Sequence, residues 1–99
     1  MIDLMSYEKR MGNNKPNDIK NISAGQIRAA RALIRWTAED LSANASLGIA
    51  TVRRAELTEG PLRMTASNLA AVRRTLEEAG IEFIFENGGG PGVRLRKPQ

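Results

Sequence analysis

Residues 37–56 read TAEDLSANASLGIATVRRAE, and this stretch parses as two short helices joined by a tight turn. Thr37 is suited to cap the free amides of the first helix. Asp40, three residues on, completes a reciprocal capping box, and Trp36 faces Leu41 across the cap as a hydrophobic staple. The grammar repeats after the turn. With Gly48 as the cap of a second helix, Leu47 and Val52 take the same staple positions. The turn itself, Ala45-Ser46-Leu47-Gly48, sets one apolar residue among small or polar neighbours, which suits two helices crossing closely at a steep angle.

Upstream, Ile22, Ser23, Gln26 and Ile27 carry the same signals: Ser23 caps, Gln26 closes the box and Ile22 staples to Ile27. Ile27, Ala30 and Ile34 recur at i, i+3 and i+7, which predicts one buried stripe, with Arg28, Arg31 and Arg35 around the rest of the cylinder. Downstream, Glu59-Gly60-Pro61 stops the second helix of the central unit, because Gly60 suits a left-handed cap and Pro61 does not continue a helix. Met64, Thr65 and Leu69 open a last helix by the same pattern; Leu69, Val72 and Leu76 form its buried stripe and Gly80 ends it.

At Ile81 the period changes. Ile81, Phe83 and Phe85 alternate with Glu82, Ile84 and Glu86, the turn-rich NGGGPG follows at 87–92, and Val93-Arg94-Leu95-Arg96 alternates again. This predicts a β-hairpin over residues 81–99 with a short tail. A lone two-stranded ribbon is marginal in water, so its apolar face is expected to cover the helices or pair with another chain. Arg94, Arg96 and Lys97 are expected along the outer face of the second strand, as edge protection in preference to a polyanion contact. Residues 1–21 hold two short apolar clusters and the polar run GNNKPND, with no sustained period. They read as a flexible arm. Lys9, Arg10, Lys15 and Lys20 would reach a nucleic-acid backbone in a functional reading, but a solvated leader is preferred.

The 99 residues suit one domain with a small core. With no cysteine and no histidine, the chain has no disulfide, no thiolate metal site and no imidazole for proton transfer near neutrality. No enzyme, metal or cofactor is expected. No signal segment is evident, and no apolar run approaches the roughly 20 residues that span a bilayer. A cytoplasmic protein without membrane contact is therefore expected. The formal net charge of +4 suits a polyanion partner. It is spread evenly: four basic residues stand against three acidic in 1–21, eight against six in 22–80, and three against two in 81–99.

With four helices in this order and the turn at 45–48, residues 22–80 resemble the Cro/repressor-like helix-turn-helix family of Xre-type transcriptional regulators. The resemblance rests on Trp36-Thr37 entering the second helix, Glu39-Asp40-Leu41 within it, the turn, Thr51-Val52 in the recognition helix and Glu56 near its end. It implies a mostly α, lambda-repressor-like domain of four helices, to which the C-terminal hairpin is appended. It also implies that Arg31 pairs with Glu56, and that the recognition helix at about 49–57 enters the major groove of double-stranded DNA while the start of the preceding helix meets the phosphates.

Advancing 100° per residue from Ile49, residues Ile49, Ala50, Arg53 and Arg54 fall on one side of that helix, with Thr51, Val52 and Ala55 inward. Arg53 and Arg54 are the candidates for guanine or phosphate contact, and Ala50 for a thymine methyl. Thr37, Ala38 through its backbone amide and Arg63 are the candidate phosphate contacts. The sequence also departs from the family. Ala38 stands where a glutamine usually opens the second helix, Ile49 and Ala50 carry no hydrogen-bonding side chains, and the hairpin replaces the usual fifth helix.

Several residues have plainer readings. Trp36 is a staple in preference to a stacking platform, and Arg73, Arg74, Glu77 and Glu78 are a solvated helix face with i, i+4 pairs. NGGGPG lacks the following helix and the adjacent Lys-Ser or Lys-Thr of a phosphate loop, so it reads as a hairpin turn. The expected function is sequence-specific DNA binding in transcriptional regulation by a homodimer. The alternative is a helix-turn-helix-derived interaction module, anti-activator-like or antitoxin-like, that binds another regulator through apolar surface at Ile49, Ala50 and Leu57.

Overall fold

A computed structural model describes residues 22–58 and 64–96. The arm at 1–21, the Gly60-Pro61 stop, Arg63 and Lys97 lie outside them. The described residues form α1 (Ala24–Ile34), α2 (Ala38–Ala45), α3 (Ile49–Leu57), α4 (Ala66–Glu78), β1 (Ile81–Ile84) and β2 (Gly92–Leu95), the two strands antiparallel. Four helices followed by a hairpin is the architecture that the local signals predict. No helix among the described residues is long and apolar enough to cross a membrane.

Each helix begins where its cap is written. Ser23 Oγ accepts from the Gln26 amide at 3.1 Å while Gln26 Oε1 accepts from the Ser23 amide at 2.9 Å. Thr37 and Asp40 repeat this exchange at 3.0 and 2.9 Å, and Thr65 Oγ1 accepts from the Asn68 amide at 3.1 Å. Gly48 caps α3 by backbone conformation alone. α1 and α2 end on left-handed residues that are not glycine, Arg35 at φ 59° and Ser46 at φ 58°. Their strain is offset by the next amide in each case: Trp36 donates to the Arg31 carbonyl and Leu47 to the Ser42 carbonyl, both at 2.9 Å.

The buried stripes meet in one core. Ile22, Ile27, Leu41, Val52, Val72, Leu76 and Ile81 are each at most 2% exposed, and full burial of such a side chain contributes roughly 1.5–3 kcal/mol. Trp36, Leu47 and Met64 pack on its margin, as staples do.

The hairpin closes the core. In its register Ile81 pairs with Leu95 and Phe83 with Val93, so these four share the face toward the helices, with β2 against α1 and β1 against α4. On the opposite face Arg94 pairs with Glu82 at 3.0 Å. Gln26 does a second job that its capping role does not announce. Its buried Nε2 donates to the carbonyls of Ile84 at 3.1 Å and Gly92 at 3.0 Å, one on each strand, tying the ribbon to the first turn of α1.

Arg96 corrects the expectation that it lines the outer face of the second strand. β2 ends at Leu95, and the Arg96 guanidinium donates at 3.0 Å to the Glu77 carbonyl, which also accepts from the Gly80 amide at the end of α4. Arg73 is also more occupied than a solvated face requires. It pairs with Glu77 at 2.9 Å and lies 5.1 Å from the centroid of the Phe85 ring.

Candidate nucleic-acid interface

The site is built on one ion pair. Arg31, on the third turn of α1, meets Glu56 near the end of α3 through two parallel bonds, Nε to Oε2 at 2.7 Å and Nη2 to Oε1 at 2.8 Å, and its Nη1 donates to the Trp36 carbonyl at 2.9 Å. The fork therefore fixes three segments at once: α1, the entry to α2 and the end of α3. The Glu56 carboxylate holds the Arg31 pKa above the ordinary arginine value, with partial burial opposing it. Arg28, one turn earlier, donates to the Glu56 main-chain carbonyl, a cation placed at the negative end of α3. The pairing implied by resemblance is present in the geometry.

Held this way, α3 buries Val52, Ala55 and Glu56 and presents Ala50, Arg53 and Arg54 to solvent. The expected wheel is mostly reproduced. Ile49 departs from it, being half-buried at the helix start, while Thr51, expected inward, is half-buried. Leu57 is 83% exposed, the most exposed large hydrophobic side chain among the described residues. Arg54 makes no side-chain hydrogen bond or ion pair among the described residues.

The start of α2 stands beside this helix. Its capping box satisfies the amides of Thr37 and Asp40, which leaves those of Ala38 and Glu39 without a partner among the described residues. Two carboxylates, Glu39 and Asp40, already occupy this first turn and oppose any approaching anion. Asp40 is engaged in the box. Glu39 is paired with the guanidinium of Arg53 from α3, both side chains being well exposed. An arginine expected to face DNA is thus held at its Nη2 by an acid on the neighbouring helix. Sequence reasoning missed this contact, because residues 14 apart on separate helices share no period that a pattern could reveal.

Between α1, the start of α2 and the end of α3 lies a groove of about 750 Å³ lined by Arg28, Arg31, Ala38, Arg53, Glu56 and Leu57, among others. Of the three guanidiniums in its lining, Arg31 is paired with Glu56 and Arg53 with Glu39, which leaves Arg28 as the one without a carboxylate partner among the described residues. The structure therefore brings together Ala38, Arg31, Glu56 and Arg53, places Thr37, Ala50 and Arg54 on exposed surface of the same two helices, and says nothing of Arg63.

Compared with known proteins, the chain matches no family model and no curated protein.

What the arrangement can do is chemical recognition of a polyanion. Arg54 and the free donors of Arg53 offer planar, bidentate hydrogen bonding, and unpaired amides at a helix start offer further donors. A small exposed methyl at Ala50 leaves room for close approach of the helix to another surface.

Proposed function

We propose that this protein is a sequence-specific DNA-binding transcriptional regulator that lays α3 in the major groove and acts as a homodimer. The observation that carries the reading is the division of α3 into two faces. One is locked by Arg31 and Glu56, and the other exposes Ala50, Arg53 and Arg54 next to the free amides of α2. That is the shape of a reading head, a rigid short helix with its basic face outward. A single helix of this length covers few base pairs, so a two-fold pair addressing half-sites about 34–36 Å apart supplies the missing contact area.

The test is binding of the full chain and of Arg53→Ala/Arg54→Ala to the DNA upstream of its gene and to a scrambled duplex, at two salt concentrations. The expected result is preferential wild-type binding that falls steeply with salt, and loss of the preference in a variant that melts at the wild-type temperature. Equal, salt-insensitive binding of both duplexes would contradict it. Leu57 favours a second reading, a helix-turn-helix-derived module that docks on another regulator, because an 83% exposed leucine is unusual on a DNA-facing helix and common in protein interfaces. Failure to bind DNA together with retention of a protein partner that Leu57→Glu releases would support this second reading.

A further inference from the structure

We propose that Glu39 is a specificity-determining positioning residue, whose carboxylate holds Arg53 so that it reads a base edge and is withheld from indiscriminate phosphate contact. This rests on the reading of α3 as the DNA-facing helix.

The pair has little to do for the fold. Glu39 and Arg53 side chains are 61% and 58% exposed, and a pair so open to solvent is screened and adds little to stability. The angle between the helices is already set by Arg31 and Glu56, whose side chains are only 20% and 9% exposed. What the outer pair does control is the guanidinium. Arg53 has five N–H donors, of which the pair engages Nη2. The second Nη2 hydrogen remains beside either Nε or Nη1, which leaves one intact fork edge, and a fixed guanidinium with such an edge free suits a guanine presenting O6 and N7.

Phosphate contact is a different matter. For Arg53 to swing to a phosphate it must leave Glu39 unpaired, and the bare carboxylate then lies on the first turn of α2, beside the incoming backbone. Like-charge repulsion penalises that geometry on every duplex, whatever its sequence. Arg54 is the control within the same helix: no acid restrains it among the described residues, so it supplies affinity while Arg53 supplies discrimination.

The experiment uses the full chain as wild type, Glu39→Gln, Arg53→Ala and Glu39→Gln/Arg53→Ala. Each is titrated with the duplex that the wild type selects from a random pool and with a scrambled duplex of the same composition, across a range of salt. Glu39→Gln is expected to bind the scrambled duplex about tenfold tighter, with a salt slope steeper by about one, as for one added phosphate contact, and to gain less on the selected duplex. Both changes should vanish in the Arg53→Ala background. A merely structural role would not move the salt slope.

An unchanged slope and an unchanged ratio of the two affinities in Glu39→Gln would overturn the proposal while leaving the DNA-binding reading intact, and so would the same changes appearing without Arg53. If neither wild type nor Glu39→Gln binds either duplex, both readings fall. If wild type is undetectable and Glu39→Gln binds, the restraint by Glu39 is supported.

Discussion

Glu56 carries a carboxylate in a residue that is 7% exposed, and such a charge is tolerated only because Arg31 meets both of its oxygens. Removing one partner strands the other. Arg31→Ala or Glu56→Ala is expected to lower stability by about 3–5 kcal/mol in urea unfolding, whereas an Arg31→Met/Glu56→Leu double replacement recovers most of the loss. A second residue-scale prediction concerns Glu82. The Arg94 guanidinium, by hydrogen bond and then by charge, holds this carboxyl below the ordinary glutamate range. A carboxyl depressed in the folded state stabilises that state above the unfolded value, and the contribution disappears as pH falls through the folded one. NMR titration should therefore find Glu82 low in wild type and ordinary in Arg94→Ala. At this scale the sequence was readable where helical spacing supplied a pair, as for Arg73 and Glu77, or where resemblance did, as for Arg31 and Glu56; the pairing of Glu39 with Arg53 joins two separate helices and leaves no periodic trace.

The helices were legible because their starting signals are local. Ser23 with Gln26 and Thr37 with Asp40 act within three residues, so the string of letters contains both partners. The positive φ of Arg35 and Ser46 was not legible, since the conformation is set by the amides that follow and neither residue type advertises it. The hairpin's existence followed from alternation, but its attachment did not. Gln26 reaches Ile84 and Gly92 across 58 and 66 residues of sequence. Gln26→Glu keeps an acceptor for the Ser23 amide and removes both donors to the strands, turning a carboxylate toward two carbonyls. The expected cost is about 1–3 kcal/mol, with faster amide exchange in β1 and β2 than in α2 and α3. Uniform acceleration across all elements would show that Gln26 has no special hold on the ribbon.

Across the molecule the hairpin buries Ile81 and Phe83 to complete the core. The outer surface is divided. The ribbon's outward face is internally neutralised by Glu82 and Arg94, while the face made by α2 and α3 keeps Arg54 without an ion pair among the described residues and adjoins the groove that Arg28 lines. Burial patterns revealed the core, but a net charge spread evenly along the chain did not show which face collects it. That depended on which cations fold back onto carbonyls, as Arg28 and Arg96 do, and which stay outward. The division gives the central claim a spatial test. Backbone amide shifts of the full chain are recorded as the selected duplex is added in low salt. The largest changes are predicted at Ala38, Glu39 and Ile49 to Arg54, with Glu82 and Arg94 unmoved. Changes centred on the hairpin, or none at all, would contradict the assignment of α3 as the reading helix.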